Sequence, residues 1–138
     1  MSDSNADAAA GENGGSSAAA SSEDTLVQYL VLVKLKGFST GALIAQGAHA
    51  AVAAAWESRE SASTQRYLAP GQLQRMHKVT LEAPSREVLE SVAASLSSAR
   101  VPHHLWLELP ENVPTALATA PLPRSVLKPF FATLRLLR

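Results

Sequence analysis

The chain has 138 residues, 46% of them hydrophobic, with no cysteine and a formal net charge of zero. The lack of thiols excludes a disulfide framework, a thiol nucleophile and a thiolate metal site. The neutral total hides an asymmetry. Charged residues among the first 24 are all acidic (Asp3, Asp7, Glu12, Glu23, Asp24), so the remainder carries all 12 basic residues against seven acidic ones. Such a surplus is compatible with an anionic partner such as RNA, but many domains that bind none are as basic.

Residues 1–24 are Ser, Ala, Gly, Asn, Asp and Glu, with no aromatic residue and Met1 as the single apolar side chain larger than alanine. A segment of this kind cannot bury enough apolar surface to offset its ordering entropy, and it is predicted to be a disordered tail. It holds neither Lys nor Arg, which argues against a mitochondrial transit peptide, and no apolar stretch, which argues against a secretory signal. No run approaches the ~18 apolar residues that span a bilayer. The expectation is a cytoplasmic protein with no membrane partner. Residues 25–138 have the size of one domain with one core.

In chain order, residues 26–35 (LVQYLVLVKL) are apolar almost throughout, as in a central strand covered on both faces. Gly37 and the Ser39-Thr40-Gly41 cluster supply a turn, with Ser39 or Thr40 as N-cap, and residues 41–56 read as a helix. Its alanines keep it narrow; those at 48, 51 and 55 suit either tight packing on a sheet or helix pairing in a homodimer. After a polar stretch, a loop and a short irregular helix are interrupted at Pro70-Gly71. Residues 77–83 (HKVTLEA) alternate as a half-buried strand does. Pro84-Ser85 then open a helix over 86–99 with Val88, Leu89, Val92, Ala93 and Leu96 on one stripe. Residues 103–109 (HHLWLEL) and 115–120 (TALATA) read as strands three and four. A last helix starts near Arg124 and ends in LRLLR. This order predicts an α/β fold with right-handed crossovers and helices on both faces of a small sheet. The last two strands are too closely linked to be parallel, so the sheet is mixed.

The first helix carries the candidate chemistry. At about 100° per residue, Ala42, Gln46 and His49 fall within roughly 60° of arc. An amide and an imidazole therefore project, toward solvent on this reading, from one side of a methyl-lined helix. A histidine packed under the sheet is the plainer alternative. His77, His103 and His104 make no convincing metal site, because adjacent histidines on a strand face opposite ways and no carboxylate pair lies nearby.

The segment Gly41-Ala42-Leu43-Ile44-Ala45-Gln46-Gly47-Ala48-His49-Ala50 resembles the helix opening G-K-x-A-A-Q-x-x-H-A of the type 2 peptidyl-tRNA hydrolase family of archaea and eukaryotes. A following K-V-x-L strand (residues 78–81), a helix and a third strand ending in an acidic residue extend the resemblance over residues 25–138. One eukaryotic branch is closer still, sharing Q-Y-L-V-L (residues 28–32), L-W-L-E (105–108), P-E-N (110–112) and a late R-L. The resemblance implies a three-layer α/β/α sandwich with a four-stranded mixed sheet. It also implies hydrolysis of the ester joining a peptide to the terminal ribose of tRNA, a peptidyl-tRNA partner, and no metal or organic cofactor.

The departures fall on the family's functional positions. Its lysine corresponds to Ala42, its aspartate to Glu108, and its threonine most nearly to Asn112; the closer branch shares the alanine and the glutamate. Ester hydrolysis needs a positioned water, a proton acceptor and donors for an oxyanion. His49 suits the base and Gln46 the group that orients water or donates to the carbonyl. Glu108 suits a partner of His49 or the base itself, and Asn112 an amide donor. The N–H groups around Thr40, Gly41, Ala42 and Leu43 suit an oxyanion or a tRNA phosphate. Glu108 also fits a solvent-facing strand end, and Asn112 a turn. Two functions remain open: a hydrolase, or an impaired member that keeps the fold to bind RNA or a protein. A phosphate-binding domain built on the 39–41 turn lacks both the Walker lysine and a multi-glycine loop.

Overall fold

The computed structural model describes residues 24–138, so the tail expected over residues 1–24 lies outside them apart from Asp24. β1 (Leu26–Val33) is the axis of the sheet. It pairs in parallel with β2 (His77–Ala83), from Val27 opposite His77 to Val33 opposite Ala83, and antiparallel with β4 (Val113–Thr119) on its other side. β3 (His103–Glu108) extends the sheet beyond β4, again antiparallel.

The sheet is mixed, as the short link between β3 and β4 requires, but it has six strands where four were expected. β5 (Leu122–Pro123) pairs with the start of β1, and β6 (Arg135–Leu136) with the end of β2. A strand of two residues has no period to read in the sequence. The last helix is correspondingly shorter than expected. α4 (Arg124–Leu127) passes into a 3-10 turn (Lys128–Phe131) containing Pro129, which has no N–H to continue a helical ladder. The LRLLR segment therefore leaves the helix and joins β2, with the Leu137 N–H donating to the Thr80 carbonyl at 3.0 Å.

Side chains of β1 alternate between two cores. Val27, Tyr29, Val31 and Val33 meet Leu89, Ala93 and Leu96 of α3 (Arg86–Ser98), together with Leu127 and Phe131. Leu30 and Leu32 meet Ala50, Ala51 and Ala54 of α1 (Thr40–Glu57), with Ala116 and Ala118 of β4. Both sides of β1 are thus closed to water, which is why it is apolar at nearly every position. Gln28 is the exception. Fully buried, its amide donates to the Ala51 carbonyl at 3.1 Å and the Thr119 carbonyl at 3.0 Å, bolting α1 to the sheet.

Local signals set the helix starts. Ser39 accepts from the Ala42 N–H at 3.1 Å and Ser85 from the Val88 N–H at 3.2 Å, each satisfying a donor that the first turn leaves free. Between α1 and β2 lie α2 (Ala62–Tyr67) and a 3-10 turn (Pro70–Arg75). Among the described residues no helix is long and apolar enough to cross a membrane. β4 begins at Val113, two residues before the expected start, and admits Pro114 because the ladder is irregular there: Leu107 faces Pro114 while Trp106 faces Ala116, leaving Thr115 as an extra residue.

Leu89 is fully buried between α3 and the sheet, so Leu89→Ala should lower unfolding free energy by about 2–5 kcal/mol in urea titration. Val52→Ala, on the open side of α1, should stay within about 0.5 kcal/mol of the wild type.

Candidate active site

α1 lies across β3 and β4, and its Gln46 and His49 side meets the end of those strands. The sequence expectation that both side chains project into solvent needs correction for Gln46. It is 4% exposed, and its carbonyl oxygen accepts from the Thr115 hydroxyl at 2.9 Å. Thr115 reaches it because of the bulge. In a regular strand Thr115 would point to the α3 side, like Leu117; the extra residue turns it onto the α1 side beside Ala116. With its oxygen committed, Gln46 leaves its amide N–H on the side of Glu108, whose ionised form it favours.

His49 is exposed, as expected. Its ring stacks on the Trp106 indole, with centroids 4.5 Å apart and planes inclined by 22°. Trp106 and Glu108 share one face of β3, two residues apart, and the indole N–H donates to the Glu108 carboxylate at 2.9 Å. That hydrogen bond is the largest cause holding the Glu108 carboxyl below the ordinary carboxylate range. Partial burial opposes it, while the neighbouring Gln46 amide and the charge of a protonated His49 act in the same direction as the indole. Gln46, His49 and Glu108 therefore converge on one surface, joined by Trp106 and Thr115. These last two escaped sequence reasoning. The i, i+2 spacing of Trp106 and Glu108 is a readable signal, whereas the turning of Thr115 depends on a bulge that no local pattern marks.

The remaining candidates lie at the edges. At the start of α1 the Ala42 N–H is taken by the Ser39 hydroxyl, and the Leu43 N–H by the Ser39 carbonyl at 3.1 Å. Two of the amides expected to face a ligand are therefore already satisfied, leaving Thr40 and Gly41. Asn112 is exposed in the β3–β4 connection with φ of 62°, a left-handed backbone that asparagine tolerates, so turn geometry accounts for it. His103 and His104 do face opposite ways. The first contacts the Val101 carbonyl at 2.8 Å, on the side of α3, and the second the Glu57 carboxylate of α1 at 3.0 Å. A tilted His104 ring 6.1 Å from Trp106 extends the aromatic surface along β3.

The sequence that folds α1 over this strand end places the chain in a known group of proteins. Residues 26–137 match the family described as Peptidyl-tRNA hydrolase PTH2, and the chain belongs to that family. Among its relatives is the human protein named "Putative peptidyl-tRNA hydrolase PTRHD1", 42% identical over an alignment of 118 residues that covers 82% of this chain and 83% of the relative. The mouse protein of the same name matches with the same identity and coverage.

Two substitutions test the geometry. Trp106→Phe keeps a ring against His49 but removes the donor, so the Glu108 pKa should rise toward the ordinary range in a carbon-detected NMR titration; an unchanged value would mean the indole N–H does not hold the carboxylate. Thr115→Val leaves the buried Gln46 oxygen unpaired and should cost about 1–3 kcal/mol of stability in denaturant titration.

Proposed function

We propose that this chain hydrolyses the ester between a peptide and the terminal ribose of tRNA, acting in the cytosol at the surface where α1 meets the end of β3. The observation that carries the reading is the exposed His49 ring stacked on an indole whose N–H holds Glu108 as a carboxylate. Membership of the PTH2 family and the names of the human and mouse relatives support the substrate. Helix α1 on one face of the sheet and α3 on the other support reading the fold as the family's three-layer sandwich.

In the proposed reaction, His49 takes a proton from water as the water oxygen adds to the ester carbonyl. Glu108, ionised throughout, stabilises the imidazolium so formed. The Thr40 and Gly41 N–H groups, at the positive end of α1 and about 12 Å along the helix from His49, receive a tRNA phosphate. His49 then returns the proton to the ribose oxygen as the ester bond breaks, releasing the peptide acid and tRNA. Gln46 acts as a positioning residue, since it is buried with its oxygen held by Thr115 and its amide beside Glu108.

Ala42, where the family has lysine, removes a charge from this surface and favours a second reading, a binding module that keeps the fold without turnover. Release of N-acylated aminoacyl groups from tRNA separates the two. Wild type should hydrolyse the ester, and His49→Ala should slow it by ~100- to 10,000-fold, the usual worth of a positioned base. Salt-dependent tRNA affinity with no turnover above spontaneous ester loss would establish the binding module instead.

A further inference from the structure

A groove of about 510 Å³ runs along the opposite flank of α1 from His49 and Glu108, a volume usual for small-ligand sites. Its floor is Leu30 and Leu32 of β1 with Thr80 of β2, its walls Ala48 of α1 and Leu137 beyond β6. None of Gln46, His49, Trp106 or Glu108 lines it. Of the residues given a part in hydrolysis, Thr40 alone reaches the groove, at the opening of α1, and the rest of it is apart from His49 and Glu108.

One end of the groove holds Lys78. Its ammonium donates to the buried Gln28 carbonyl oxygen at 2.7 Å and to the Tyr67 hydroxyl at 3.2 Å. Both partners are neutral. The Tyr67 hydroxyl spends its own proton on the His77 carbonyl at 2.7 Å, and burial pushes its pKa up to about 12. Among the described residues no acidic side chain pairs with Lys78. The far end differs, because Lys34 lies 3.8 Å from Glu82 and donates to the Arg138 carbonyl. Both ends are thus cationic, Arg138 lying beside Lys34, but the far one already holds the Glu82 carboxylate, and the Lys78 end alone offers a cation with no acid beside it, against a floor of leucines. No aromatic side chain lines the groove to stack a base, and residues 1–24 carry acid but no apolar body to fill it.

We infer that this groove binds a medium-chain fatty acid, with its carboxylate on the Lys78 ammonium and its hydrocarbon chain along Leu30 and Leu32. The inference stands apart from ester hydrolysis. Calorimetric titration of the full chain with decanoate, decanol and acetate tests it. Decanoate should bind saturably at one site per chain, with decanol and acetate at least ~10-fold weaker, as expected when a charge-assisted hydrogen bond or the apolar contact is lost. Lys78→Gln keeps an N–H for Gln28 but not the charge, and should bring decanoate down to the affinity of decanol with the melting temperature nearly unchanged. Ala48→Phe, which fills the groove from an exposed helix position, should weaken both long-chain ligands. Equal affinity for decanoate and decanol, no saturable decanoate binding, or decanoate binding unaltered by either variant would overturn it.

Discussion

A strand with Leu30 and Leu32 on one side and Val27, Val31 and Val33 on the other has to be covered twice, and this demand on β1 organises the molecule. Parallel pairing with β2 requires a crossover, which α1 provides while covering one side. The other side takes α3 and the 128–131 turn. Because α1 is built from alanine where it touches the sheet, its backbone comes close enough for the Gln28 amide to reach the Ala51 carbonyl. The helix that carries His49 is thereby held to a strand that cannot move without opening both cores.

On that base the site is a chain of paired groups. Thr115 holds the oxygen of Gln46, whose amide favours the ionised form of Glu108; Trp106 holds that carboxylate and presents its ring to His49. The two members with the clearest chemistry are the most exposed, and the buried ones fix their placement. This division explains how the surface keeps an ordered carboxylate with alanine at position 42: the neutral indole N–H holds it, helped by the Gln46 amide. They stabilise the charge without adding one of opposite sign, which leaves the surface less attractive to a polyanion than a lysine would.

Much of this arrangement was legible in the residues themselves. The unbroken apolar run of β1, the alternation of β2 and the stripe of α3 each follow from a single periodicity, and the caps at Ser39 and Ser85 from local chemistry. The grouping of Gln46 with His49 follows from helical spacing. What the pattern concealed is short-range or cooperative. Strands β5 and β6 have two residues each, and Pro129 redirects the chain only because β2 offers an open edge to receive it. Burial of Gln46 depends on Thr115, and the facing of Thr115 depends on the ladder slipping by one residue, a property of two strands together.

That slip gives the β3–β4 hairpin an unusual sensitivity to length. Deleting one residue near Pro114 would let the ladder run in regular alternation, every backbone pair still made, yet the threonine hydroxyl would swing through the sheet to the α3 side. Indels in this corner therefore act on polarity more than on architecture: the protein would keep its shape while its central amide lost its anchor.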